Sequence, residues 1–221
     1  MIQRLISFLI ILVFFNGCAT LQPPKGIDQI ILDAKYYTSE KGAALAKKYH
    51  ENLVNLVSLI RQKYSHSELE FIDAPNDKNA LGMCFGYQKD DIDKNPILTI
   101  WVWSSTQYNT LQTNFGTRAS TNFLRYYRPL LNLALSDERM FSDPNITGYN
   151  INLQWLAKDF VSDKYFGGKI ERIFIYSSKE NCNEFISNKI TNEAFLKNAK
   201  VSGMQGDVEL GLIELDLKSG L

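Results

Sequence analysis

The sequence predicts an α+β fold in which a mostly antiparallel sheet packs against two long amphipathic helices. Three observations carry this reading. Apolar residues recur at helical spacing over residues 27–64 and again over 118–139, strict alternation runs from Tyr149 to Trp155, and the remaining apolar runs are short and bounded by turn-forming residues.

The first helical region opens with Ile27, Ile30, Ile31 and Ala34 at i, i+3, i+4 and i+7. The stripe resumes with Leu45, Tyr49, Leu53, Leu56, Val57 and Ile60, while Lys47, Lys48, Glu51 and Asn55 fall off it. The weak stretch from Thr38 to Gly42 leaves two readings: one helix, or two with a hinge near Gly42, ending about Tyr64. Leu69–Ile72 reads as a short strand stopped by Pro75 and Asn76, and Leu81–Tyr87 as a strand weakened by Gly82 and Gly86. Ile97–Trp103 is apolar on both faces, as expected of a central strand, and the preceding run suggests a hairpin with it.

From Arg118 to Arg139 the residues Ala119, Phe123, Tyr126, Tyr127, Leu130, Leu131, Ala134 and Leu135 form one stripe. Pro129 lies inside it. Because the stripe stays in phase across the proline, a bend is expected, not a break. Ser142-Asp143-Pro144-Asn145 is a turn. Tyr149, Ile151, Leu153 and Trp155 then alternate with Asn150, Asn152 and Gln154. After Gly167-Gly168 come a strand over Lys169–Tyr176, a helix over Glu180–Lys189 and a short helix over Asn192–Lys197. Val208–Leu217 closes the chain as a strand whose apolar phase flips between Leu212 and Ile213, which suggests a bulge. Gln88-Lys89-Asp90 and Ala157-Lys158-Asp159 each precede an apolar strand ending in Ser-Ser and then a helix, a weak hint of a duplicated ββα unit.

The charge is balanced, with 24 basic and 24 acidic residues, so no field exists to steer nucleic acid. Nucleic acid is excluded as a partner on that ground. Beyond the N-terminus no apolar stretch approaches the roughly 20 residues of a membrane span.

The N-terminus is ordered like an export signal. Arg4 supplies the positive charge, Leu5–Phe15 is an apolar run broken only by Ser7, and Asn16-Gly17 lead into Cys18. Phe15-Asn16-Gly17-Cys18 resembles the lipobox of bacterial lipoproteins, matching it at Gly17 and Cys18 and departing from it at Phe15 and Asn16. The resemblance covers the first eighteen residues only. It implies a signal peptide over 1–17 and lipidation of Cys18; Pro23-Pro24 favour an extended tether over 18–26, and the remaining length suits one globular domain over 27–221. Lipid on Cys18 implies a protein anchored to a membrane in the cell envelope. Ala19 replaces the aspartate of the commonest inner-membrane retention signal, which implies the periplasmic side of the outer membrane where the cell has one.

The chemistry-bearing residues are few. Cys84 and Cys182 remain once Cys18 is lipidated, and an oxidising compartment would permit a disulfide between them; two buried free thiols are the other reading. Cys84, flanked by Gly82 and Gly86, is the residue on which an envelope hydrolase or thiol enzyme would depend. His50 and His66 lack metal-site spacing, and Asp90, Asp91 and Asp93 lack the glycine and distal glutamate of a calcium loop. Arg118, Arg125 and Arg128 line the polar side of the third helical region and are candidates for an anionic ligand or partner face. Trp101, Trp103, Trp155 and Tyr108 are candidates for stacking on sugar rings, with core packing as the ordinary alternative. No motif points to a metal or cofactor. The expectation is a membrane-anchored envelope lipoprotein with a non-enzymatic binding or assembly domain, a thiol enzyme and a glycan-binding module being the alternatives.

Overall fold

The computed structural model describes residues 26–72, 82–86, 96–161 and 167–218. The leader, Cys18 and the tether, and the cluster Asp90, Asp91 and Asp93, lie outside the described residues.

The fold is α+β. Its helices are α1 (Ile27–Ile30), α2 (Glu40–Lys48), α3 (His50–Lys63), α4 (Phe115–Asn122), α5 (Arg128–Leu135), α6 (Glu138–Ser142), α7 (Lys179–Ile186) and α8 (Asn192–Lys197). The strands are β1 (Leu69–Phe71), β2 (Met83–Gly86), β3 (Ile97–Asn109), β4 (Gly148–Lys158), β5 (Lys169–Ser178), β6 (Lys200–Gln205) and β7 (Val208–Leu212). They form one sheet in the order β3-β4-β5-β6-β7, with β1 and β2 both paired to the outer edge of β3.

β1 and β2 lie end to end along that edge. Phe71 pairs with Val102 and Met83 with Ile100, so the two behave as one strand interrupted opposite Trp101. The Ile72 amide donates to the Trp101 carbonyl, and the Trp101 amide donates to the Gly82 carbonyl. All pairings are antiparallel except β3 with β4, which are parallel because α4–α6 carry the chain back across the sheet.

One face of the sheet is apolar: Leu98, Ile100 and Val102 of β3, Tyr149, Ile151, Leu153 and Trp155 of β4, and Ile173 and Ile175 of β5 pack on the helices in a single buried core. A ring cluster sits at its centre, with Phe185 and Phe195 stacked at 4.3 Å and Phe123 stacked on Tyr127 at 5.2 Å.

The first helical region is broken twice. α1 stops at Ile30, against the expected continuation through Ala34, and the chain runs extended with one 3-10 turn at Ala34–Tyr36 until the Ser39 hydroxyl accepts the Gly42 amide and starts α2. A second break at Tyr49 separates α2 from α3. Gly42 is therefore not the hinge. It lies inside α2, where a Cβ would stand 2.7 Å from Tyr37 Cδ1 and 3.0 Å from the Phe85 carbonyl oxygen, so it is the point of close approach to β2. The stripe at 118–139 begins earlier than its sequence suggests, at Phe115, with Asn114 as the cap, and ends at Leu135. Its irregularity is a π turn over Phe123–Tyr127 directly ahead of Pro129. The proline has no amide hydrogen for the Arg125 carbonyl and its ring crowds that turn; the wider turn accommodates both problems. The bulge lies two residues before its expected place. Gly203 pairs with Gly211 and Met204 with Glu209, which leaves Leu210 as the extra residue, and Gly211 takes a φ of +68°.

The ββα duplication is not a symmetry of the fold. β3 and β4 run parallel, so laying β2-β3 onto β4-β5 requires a half-turn that would put the following helices on opposite faces. Both helix groups pack on the same face.

Candidate functional site

The opposite face of the sheet carries a different chemistry. Three rows cross it in register: Thr99–Asn150–Tyr176, Trp101–Asn152–Phe174 and Trp103–Gln154–Arg172. The central strand β4 thus presents a column of three carboxamides, with aromatic side chains on both flanks. The alternation that makes Tyr149 to Trp155 a strand also makes this column, since every second residue must point away from the core.

Asn152 is fully buried, yet neither its amide nitrogen nor its amide oxygen has a hydrogen-bond partner. The Asn150 Oδ1 and the Arg172 Nε on the same face are buried and unpartnered as well. What covers Asn152 follows from the register. Trp101 and Phe174 are its cross-strand neighbours, two strands or about 9.6 Å apart, but their rings meet edge to face with centroids 5.4 Å apart. The rings must lean together over the carboxamide. A buried amide without a partner costs roughly 1–3 kcal/mol per group, so the site carries a local destabilisation that native interiors seldom retain.

Beside this row a cavity of about 270 Å³ opens between the sheet and the segment Leu32–Ser39. Its walls include Tyr36, Tyr37, Thr99, Trp101, Asn150 and Asn152, with Cys84 among them. The N-terminal segment is pinned there by the Ile31–Met83 bridge, by the Leu32 amide bonded to the Met83 carbonyl, and by the Phe85 amide donating to the Tyr37 hydroxyl at 2.9 Å. Among the described residues the walls contain no Asp, Glu, Lys, Arg or His. Two titratable groups in the walls, Tyr37 and Cys84, stay neutral. Burial pushes the Tyr37 phenol far above its usual range, with the nearby Cys84 adding to the effect. Burial alone pushes the Cys84 thiol up to about 12.

That shift speaks against a nucleophilic Cys84, because catalysis needs the thiolate and hence a lowered pKa. Nor is there a bridge to Cys182. Both cysteines are free and buried. Cys84 pairs with Thr99 on the cavity face, whereas Cys182 belongs to the helix-side core, so the sheet lies between them.

The three arginines do not form one face. Arg118 is buried and turned inward, donating through Nε and Nη2 to the two Glu171 carboxylate oxygens at 2.7 and 2.6 Å. Glu171 also accepts Trp155 Nε1 at 2.8 Å and Gln205 Nε2 at 2.8 Å, so this buried pair is fully engaged within the protein. Arg125 pairs with Glu68 at 2.7 Å. Arg128 donates to the Phe185 carbonyl and to Asn188 and lies over the Phe185 ring, closing the end of α7. The helical stripe places Arg118 and Arg125 on its polar side but cannot show that β5 supplies a carboxylate there.

The aromatic candidates divide the same way. Trp155 is buried in the core, and Tyr108 packs edge-on against it. Trp101 and Trp103 are on the cavity face and half-buried. The sequence reading missed Asn150 and Asn152 as site residues, although their parity with Trp101 and Trp103 was the signal.

Comparison with protein-family models, with curated proteins and with solved structures yields no match to this chain.

Proposed function

We propose that the protein is a lipid-anchored lipoprotein of the cell envelope whose domain binds a ligand on the carboxamide face of its sheet and performs no chemistry on it. The anchor rests on the resemblance of residues 15–18 to a lipobox. The binding role rests on one observation above all: the Asn152 carboxamide, unpartnered within the protein, in the wall of a cavity whose described lining carries no charge. A buried polar group with both hydrogen-bonding functions open is a liability to the free protein and an asset once a ligand completes it. Neutral walls, a neutral thiol and a neutral phenol favour recognition over acid–base or nucleophilic catalysis.

The test is a titration of the detergent-solubilised full chain with a soluble digest of bacterial cell wall, read by tryptophan fluorescence. Of the three tryptophans, Trp101 borders the cavity, Trp103 lies one row beyond its described lining and Trp155 is sealed in the core, so a saturable change that disappears in Trp101→Phe is expected. No saturable change contradicts the binding role.

A further inference from the structure

We infer that the cavity takes an N-acetylated sugar, with its acetamido group clamped between Asn150 and Asn152; this rests on the recognition role just proposed and names its ligand. The two side chains project from the same face of β4, two residues and so about 6.8 Å apart. Asn150 leaves a carbonyl oxygen open, and Asn152 leaves both its oxygen and its nitrogen open. A trans secondary amide points its N–H and its C=O in opposite directions. It can therefore give its N–H to the Asn150 Oδ1 and accept the Asn152 Nδ2 on its carbonyl oxygen. With hydrogen bonds of about 2.9 Å at each end, such an amide bridges a gap of this size.

The rest of the cavity decides what carries the amide. Tyr36, Tyr37 and Trp101 supply aromatic walls and Thr99 a hydroxyl, and among the described residues none of the walls is charged. That combination suits the flat C–H face of a pyranose ring with neutral hydroxyls at its rim. Among the described walls an anionic or cationic ligand would find no counter-charge, Arg172 lying one row further along the face and outside them. The volume of about 270 Å³ lies just below the roughly 300–1,000 Å³ of drug-sized pockets, which fits one ring and its acetamido group.

Access requires one movement. The Trp101–Phe174 contact shields Asn152 in the free protein. An edge-to-face contact of this kind is weaker than, or comparable to, what each newly satisfied buried polar group returns. Swinging the half-buried Trp101 ring is therefore affordable to a ligand that bonds the Asn152 Nδ2, and side-chain rotations of this kind are common on binding. The same movement makes Trp101 the reporter.

The experiment uses the detergent-solubilised full chain and three probes: N,N′-diacetylchitobiose, cellobiose, which lacks the acetamido groups, and N-acetylalanine methylamide, which has amides but no sugar ring. Saturable quenching by diacetylchitobiose is expected, with binding at least tenfold weaker for the other two. Asn152→Leu and, independently, Asn150→Ala are each expected to weaken it at least tenfold, so the site remains testable if one variant fails to fold. Equal binding of cellobiose, or tighter binding of the capped alanine, overturns the acetamido-sugar assignment. Quenching by a cell-wall digest without any by diacetylchitobiose overturns the assignment but leaves the recognition role standing; quenching by neither removes both.

Discussion

Asp143 shows how much a single side chain can organise in this protein. It is almost fully buried at the turn after α6 and accepts Lys48 Nζ at 2.7 Å, the Tyr49 hydroxyl at 2.8 Å and the Asn145 amide at 2.8 Å. Burial pushes its carboxyl up, but the Lys48, Asn145 and Tyr49 hydrogen bonds outweigh that and hold it well below the usual carboxylate range. A carboxyl whose folded pKa is depressed stabilises the fold above its unfolded value of about 3.9, and that contribution disappears as pH falls through the window below it. Thermal unfolding followed between pH 6 and pH 2 is expected to show a loss of stability below about pH 4 that is reduced in Asp143→Asn. The sequence reveals only the turn at this position; the partners on α2 and just beyond it lie 94–95 residues away. The cysteines allow a second test at this scale. With both thiols pushed up to about 12 by burial, Cys84 and Cys182 should resist a thiol reagent at neutral pH in the native protein and react rapidly in denaturant. Fast native labelling of Cys84 would revive the thiol-enzyme alternative.

Elements are held together by a few long-range contacts that periodicity cannot display. The Arg118–Glu171 pair joins α4 to β5, and Trp155 and Gln205 bring β4 and β6 into the same carboxylate. Removing one partner leaves the other charge buried without compensation, at a cost of about 3–5 kcal/mol. Glu171→Ala should lose about that much stability in urea unfolding; a change under 1 kcal/mol would show that the pair is dispensable. Gly42 brings α2 against β2. Alanine there gains about 1 kcal/mol of helix propensity but must displace Tyr37 or the Phe85 carbonyl, a crowding cost of about 1–3 kcal/mol. Net destabilisation of Gly42→Ala is expected from the same measurement. Elements with long, regular side-chain periods, such as α3 and β4, were legible; β6 was not read at all, α1 stops at Ile30 instead of continuing through Ala34, and β7 ends at Leu212 instead of Leu217. The π turn before Pro129 was legible only as a bend, and the bulge was misplaced by two residues because alternation marks a change of phase but not which residue goes unpaired.

At the scale of the whole molecule, the sheet separates two environments. Its helix side is a continuous apolar core, and its other side carries amides, aromatic rings and a small neutral cavity. That division follows from β4, where apolar Tyr149, Ile151, Leu153 and Trp155 alternate with the carboxamides Asn150, Asn152 and Gln154. The sequence therefore contained the candidate face, yet the same asparagines would read as solvent-exposed without knowledge that Trp101 and Phe174 close over them. The arginines misled for the complementary reason, since a polar stripe on an isolated helix is silent about an acidic residue arriving from a strand. The proposed anchor belongs to this scale too. Mass analysis of the chain extracted from bacterial membranes is expected to find an acylated N-terminus at Cys18 and resistance to extraction by salt. An N-terminus upstream of Cys18 contradicts the anchored reading.

The central claim is that Asn152 is kept unpartnered for a ligand and not for the fold, and its most direct test is the unfolding midpoint of Asn152→Leu in the absence of ligand. Replacing a buried, unsatisfied amide by an apolar side chain of similar size removes a penalty of roughly 1–3 kcal/mol, and a chain of this length gains about 2–4 °C per kcal/mol. A midpoint several degrees above that of the unsubstituted protein is expected. A midpoint several degrees below it would mean that the amide supports the structure and is not reserved for a ligand.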